Sequence, residues 1–228
     1  MNRKTFFTPT HTGFSNVPKK LLISLSLAVG FLGNVTAHAE TIAEGIAAEQ
    51  HAWAKGRYSL PEDKREDYFA QLQTRAHDFT LRFPNQAAPL IWEGIITATH
   101  AEYQGIFSAR GTAREARDLL LKAIAIDPNA LDGAGLLTLG ALYFKVPRFG
   151  SFGDDDKARE YLQRALKVDP NNVDANYFYG EFLLEQGDKS GALMYLTKAV
   201  HAAPRPGRRD ADEGRHAAAL ALLIKAQQ

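Results

Sequence analysis

Apolar positions in this chain recur at helical spacing in three stretches that share one register: AREARDLLLKAIAIDP (113–128), KAREYLQRALKVDP (157–170) and GALMYLTKAVHAAP (191–204). Ala116, Leu120, Ala123 and Pro128 of the first return as Ala158, Leu162, Ala165 and Pro170, then as Ala192, Leu196, Ala199 and Pro204. Ala, Leu and Ala at i, i+4 and i+7 lie on one stripe of an α-helix, and the two alanines let a neighbouring helix approach closely. Proline cannot continue the helix and turns the chain toward the next unit. Matching positions of the copies, Ala116, Ala158 and Ala192, lie 42 and 34 residues apart, and 34 is the length of one unit in a helix-pair solenoid.

A second helix precedes each copy. Before the last copy, Asn176, Tyr179, Gly180 and Leu183 mark its packing face, and Gly187-Asp188 supplies a left-handed turn and a cap. Leu136, Leu139, Gly140 and Tyr143 play the same part before the middle copy, and Leu90 and Gly94 before the first. The connection between the two helices is about six residues longer in the middle unit and about ten longer in the first. Upstream, 40–58 and 66–84 read as a degenerate pair, and 210–226 reads as an amphipathic helix capping the last unit.

These residues resemble the tetratricopeptide repeat, whose 34-residue pattern runs through a large residue, Leu-Gly, Tyr, Ala, an aromatic or Leu, Ala and Pro: Leu139, Gly140 and Tyr143 match its first helix, and Gly180, Ala192, Leu196, Ala199 and Pro204 stand at its Gly, Ala, Leu, Ala and Pro positions. Asn176 takes the place of the family's usual Trp. The resemblance implies an all-α, right-handed solenoid of about three helix pairs over 40–228, with the degenerate pair before them and the capping helix after. It also implies that the first helix of each pair lines a concave groove. The groove positions would be Ile91, Ile95 and Ala98, then Leu137, Ala141 and Phe144, then Tyr177, Glu181 and Leu184. Two of these three sets are wholly apolar, so something should cover them: the chain's own segments, a partner peptide or helix, or an apolar small ligand.

The two longer connections join the same helices of successive pairs and so leave the stack on one edge. They bring Tyr103, Phe107, Phe149 and Phe152 there, with Arg110 and Arg148. Adjacent loops on one edge are a common binding device of repeat arrays, and aromatics also staple loops to a stack. The expectation is that these two segments roof one end of the groove.

The first 39 residues stand apart. Lys19 and Lys20 precede the apolar run 21–35, and Ala37-His38-Ala39 gives a small-x-small cleavage site. That pattern predicts an export signal cleaved after Ala39, a periplasmic or secreted protein, and no membrane span in the mature chain. Four of the 27 basic side chains and none of the 26 acidic ones lie in that segment, so the remainder is formally −3. No basic excess is left to suggest a nucleic-acid partner. The absence of cysteine excludes disulfides, thiol catalysis and Cys-based zinc sites.

Candidate chemistry is sparse. Asp154-Asp155-Asp156 lacks the alternating ligands of a calcium loop and sits where a helix needs a cap. His51, His77, His100, His201 and His216 show no paired metal-ligand spacing. Arg205, Arg208, Arg209 and Arg215, interleaved with acids, read either as an ion-paired linker or as a site for an anion. No nucleophile elbow, phosphate loop or dinucleotide fingerprint appears, so neither an enzyme nor a cofactor is expected. Lys and Asn, which clamp chaperone C-termini in some tetratricopeptide domains, are missing from the groove positions. Two functions remain: an exported scaffold for a protein or peptide partner, such as an envelope complex, or a ligand-handling protein. The second resembles the T component of tripartite ATP-independent periplasmic transporters, whose stacked repeats surround an apolar channel. A closed passage through the chain would favour ligand handling, and an open groove a peptide.

Overall fold

Several helices begin where a side chain offers the free N–H groups an acceptor. In the computed structural model, which describes residues 40–228, Thr41 and Glu44 form a reciprocal capping box at the start of α1 (Ile42–Ala54). The expected export signal lies outside the described residues. A π-helical turn, Lys55–Ser59, and a short 3₁₀ turn, Glu62–Lys64, lead into α2 (Arg65–Arg82). Three helix pairs follow: α3 (Ala87–Tyr103) with α4 (Ile106–Ile126), α5 (Ala130–Lys145) with α6 (Asp155–Val168), and α7 (Val173–Glu185) with α8 (Lys189–Val200). The last helix is α9 (Arg209–Gln227). Among the described residues there is no strand, and no helix is long and apolar enough to cross a membrane.

The acidic run 154–156 caps a helix, as its position suggests. The Asp154 carboxylate accepts from the backbone N–H groups of Asp156 and Lys157, each at 3.1 Å. Asp188 accepts from Gly191 N at 2.9 Å at the start of α8, after Gly187 has reversed the chain at φ +82°.

One contact repeats in all three pairs. A Cβ placed on Gly94, Gly140 or Gly180 would lie 2.8 Å from Cγ of Leu120, Leu162 or Leu196 respectively. The glycine lets the two helices of a pair close until the leucine of the second is sealed against the first. Leu120, Leu162 and Leu196 are fully buried, as are Ala116, Ala158 and Ala192. Each leucine contributes about 1.5–3 kcal/mol of burial. Asn176, also buried, donates to the carbonyls of Pro170 at 3.0 Å and Asn172 at 2.8 Å. Where the family carries a Trp, this chain ties down the turn before α7.

The long connections part company. The first is not a loop: only Gln104 and Gly105 separate α3 from α4, and the extra residues lengthen both helices. The sequence 108–117, rich in Ala and Arg, is a good helix former, which explains the extension. The second is a loop. Asp154 N bonds to Tyr143 O at 2.9 Å, and Phe152 packs edge-on against Tyr143 with the Arg117 guanidinium 4.8 Å from its ring centre.

The first helices of the pairs form the inner layer: α1 packs on α3, α3 on α5, α5 on α7 and α7 on α9. The C-terminal helix then returns to the beginning. It packs on the Lys55–Ser59 turn, and Ala211 joins the core that holds Trp53, Phe69 and Trp92. The inner layer is therefore a closed ring rather than an open arc.

Candidate functional site: a cavity inside the ring

Closure leaves a cavity of about 350 Å³ within the inner layer. Its apolar wall comes from Trp53, Trp92, Ile95, Ala98, Leu131, Leu137, Ala141 and Phe178. Trp53 and Trp92 meet edge-to-face at 6.4 Å, and Trp53 Nε1 donates to Thr99 Oγ1 at 2.8 Å. The rest of the wall is largely charged, with Arg57, Glu102, Asp132, Lys145, Asp169, Asp174, Arg205, Arg208 and Arg215.

Asp174, at the start of α7, organises this charged part. Its Oδ1 accepts from Arg215 Nε at 2.6 Å and its Oδ2 from Arg205 Nη1 at 2.9 Å. Arg205 also bonds to Asp212 through its own backbone N–H, at 2.7 Å, and through Nε, at 2.8 Å. Burial pushes the Asp174 carboxyl upward, but Arg215 and Arg205 outweigh it and hold the pKa at about 2. The Arg215 guanidinium sits 4.3 Å from the centre of the Tyr177 ring and 4.6 Å from that of Phe178. These contacts fasten α9 to α7. Farther round, Arg57 bonds to Tyr103 Oη at 2.9 Å and pairs with Glu102, while Lys145 Nζ lies 2.6 Å from Glu181.

The backbone of the wall is unusual. Leu131 (φ 50°) and Asp132 (φ 55°) both adopt the left-handed conformation, followed by Gly133 at φ 77°. A side chain in that region costs about 1–2 kcal/mol, and two such residues in succession border the cavity.

The structure distributes the expected site residues widely. Ile95 and Leu137 line the cavity. Ile91 does not; it is buried beside Ala87 and Ala123. Phe144 packs edge-on against Phe182, Tyr177 lies beneath Arg215, and Glu181 receives Lys145. Tyr103 stacks on Phe69 at 5.4 Å. Phe152 is stapled to Tyr143, whereas Phe149 is 96% exposed and Phe107, in the other long connection, 88% exposed. The two long connections do meet, since Gly150 lies against the Arg110 guanidinium. They do not roof the cavity, because none of their aromatics lines it and α9 closes the ring instead. Trp53, Trp92 and Asp174 were not among the residues expected from sequence; two tryptophans on successive inner helices were the available signal.

Residues 147–205 match the family model of the tetratricopeptide repeat. A thermophilic TPR protein of Thermus thermophilus is similar in structure, with a TM-score of 0.53 and 17% sequence identity, over 79% of this chain and 100% of that one. The fold is a tetratricopeptide-repeat solenoid. A MamA protein aligns at a TM-score of 0.40 and 18% identity, over 81% of this chain and 91% of its own. No curated protein matches the chain. Within the tetratricopeptide-repeat frame, the glycine–leucine contacts are the intra-repeat seams, and α9 is the helix that turns an array into a ring.

Proposed function

We propose that the chain is an exported, non-catalytic scaffold that contacts a protein partner through the edge bearing Phe107 and Phe149. The observation that carries this reading is their exposure, 88% and 96%, on the edge where Arg110 meets Gly150. Large aromatics left in water at one edge of a repeat array mark a contact surface. Tetratricopeptide repeats are a fold of protein-interaction scaffolds, and here the inner face encloses a cavity too small for a protein, which leaves the outer edge for a protein partner. Export rests on the sequence pattern of residues 1–39, and N-terminal sequencing should find the mature chain starting at Glu40. Phe107→Ser with Phe149→Ser should leave melting unchanged and abolish co-purification with a partner protein from the producing cell. Retained co-purification would remove this edge as the contact.

A second reading is favoured by the cavity within the ring: a ligand-handling accessory protein comparable to a transporter T component. A chamber inside a ring, with one apolar wall and one charged wall, suits a small molecule better than a peptide, whose chain would need an open groove. Retention of a small molecule through purification, found by mass spectrometry after denaturation, would support it.

A further inference from the structure

Among the described residues, one cation of the cavity wall forms no ion pair, and neither do two wall carboxylates, Asp132 and Asp169. Arg57 is matched by Glu102, and Lys145 by Glu181. Where α7 meets α9, three guanidiniums, Arg205, Arg208 and Arg215, face two carboxylates, Asp174 and Asp212. Arg205 and Arg215 already bind both carboxylates. Arg208 remains. Among the described residues it forms no ion pair, neither with these two nor with Asp132 or Asp169 of the wall, and its buried Nε has no acceptor. Burial, together with the charge on Arg205, depresses its pKa and outweighs the opposite pull of Asp174 and Asp212. Its guanidinium lies 5.5 Å from the centre of the Trp92 ring, at the boundary between the apolar wall and the charged part.

We propose that this cavity binds a small organic monoanion, an apolar body bearing one carboxylate, with Arg208 holding the carboxylate. The inference rests on the ligand-handling reading and adds the chemical class of the ligand. A partly buried guanidinium that forms no ion pair is costly, and an incoming carboxylate offsets that cost with charge-assisted hydrogen bonds. Trp53, Trp92, Ile95 and Leu137 offer the apolar body a wall. The volume equals the share of about a dozen waters, which suits a ligand of modest size. Strained backbone gathers at ligand sites, and the left-handed pair Leu131–Asp132 borders this one. Arg208 and Gln50 also line an adjoining cavity of about 290 Å³ at the start of α9. The anchor therefore stands where the inner chamber meets a second space.

The chain contains two tryptophans, Trp53 and Trp92, and both line the cavity, so tryptophan fluorescence reads this site alone. The test titrates the full chain with octanoate and, separately, with octanol. Octanoate should give a saturable change and bind about tenfold or more tighter than octanol. Arg208→Gln should bring octanoate down to the octanol value, leave octanol unchanged and leave melting equal or higher. Arg208→Met, of similar length and without charge, should behave alike and serves if the first variant does not fold. Equal binding of the two probes, or octanoate binding undiminished in the variants, would overturn the anion assignment and leave the ligand-handling reading standing. No saturable response to either probe would overturn both.

Discussion

Tyr58 leaves no room for a side chain at residue 214: a Cβ built on Gly214 would fall 2.2 Å from Tyr58 Cε1. The contact joins the turn after α1 to the first half of α9, so it is the seam at which the ring closes. Tyr58 cannot easily yield, because its ring is held edge-on by Trp53 at 5.8 Å. Gly214→Ala should therefore cost about 1–3 kcal/mol by overpacking. Tyr58→Ala in the same chain should recover part of the loss, and a double-mutant cycle on thermal melting measures the coupling. Additive effects would show that the seam carries no stability.

Asp174 should make the closure acid-sensitive. Its pKa in the folded chain, about 2, lies below the ordinary 3.8. The stabilisation is thus fully present above about pH 4 and is lost as pH falls through 2. It should amount to about 2 kcal/mol, read as a falling urea midpoint between pH 4 and pH 2. Asp174→Asn should cost about 2–4 kcal/mol at neutral pH, because Arg205 and Arg215 lose their shared acceptor. The variant should also lose that acid-dependent part of the slope.

His77 should act in the opposite direction. Its Nδ1 lies 2.8 Å from Oε1 of Glu93, whose side chain is 2% exposed. The hydrogen bond and charge of Glu93, with Asp78 and Glu115 farther off, raise the His77 pKa above its ordinary 6.5. The raised value means that the stabilisation is complete below about pH 6.5 and disappears as pH rises through the folded-state pKa. Solvent screening at this half-exposed ring keeps the effect below about 1 kcal/mol. Melting temperatures from pH 6 to pH 9 should show the decline in the natural chain, and His77→Gln should flatten it.

Asp132→Gly should raise stability by about 1 kcal/mol. Asp132 is exposed and held at φ 55°, so a glycine removes the steric cost without emptying the core. Chemical unfolding reads the gain. An unchanged or lower midpoint would mean that the left-handed turn is not strained in solution.

The repeats were legible in the sequence because their signals are local. Ala158, Leu162 and Ala165 lie within about two helical turns, and Pro170 follows soon after, so one window shows both the buried face and the stop. The cavity was not legible for the converse reason. Arg215 meets Asp174 across 41 residues of chain, and Trp53 meets Thr99 across 46, with no periodicity to link them. The segment 204–215 shows the divide within itself: the Arg205–Asp212 pair is local and was foreseeable, whereas the role of Arg205 and Arg215 in fastening α9 to α7 was not. Of the family groove positions, Ile95 and Leu137 line the cavity, whereas Ile91 packs between helices. Helix propensity explains the remaining difference, since residues counted as a loop after Tyr103 continue as helix.

The seam between Tyr58 and Gly214 also bears on how such a chain can change its length. A linear array gains or loses units by duplication and deletion, since each unit touches only its neighbours and the new end is capped as before. Here, an added helix pair would carry residue 214 away from residue 58 and leave Arg208 without Trp92 beside it. The number of units is thereby fixed by geometry, and variation is confined to the outward connections, where residues 146–154 and the helical extension after Gly105 already differ from the regular repeat.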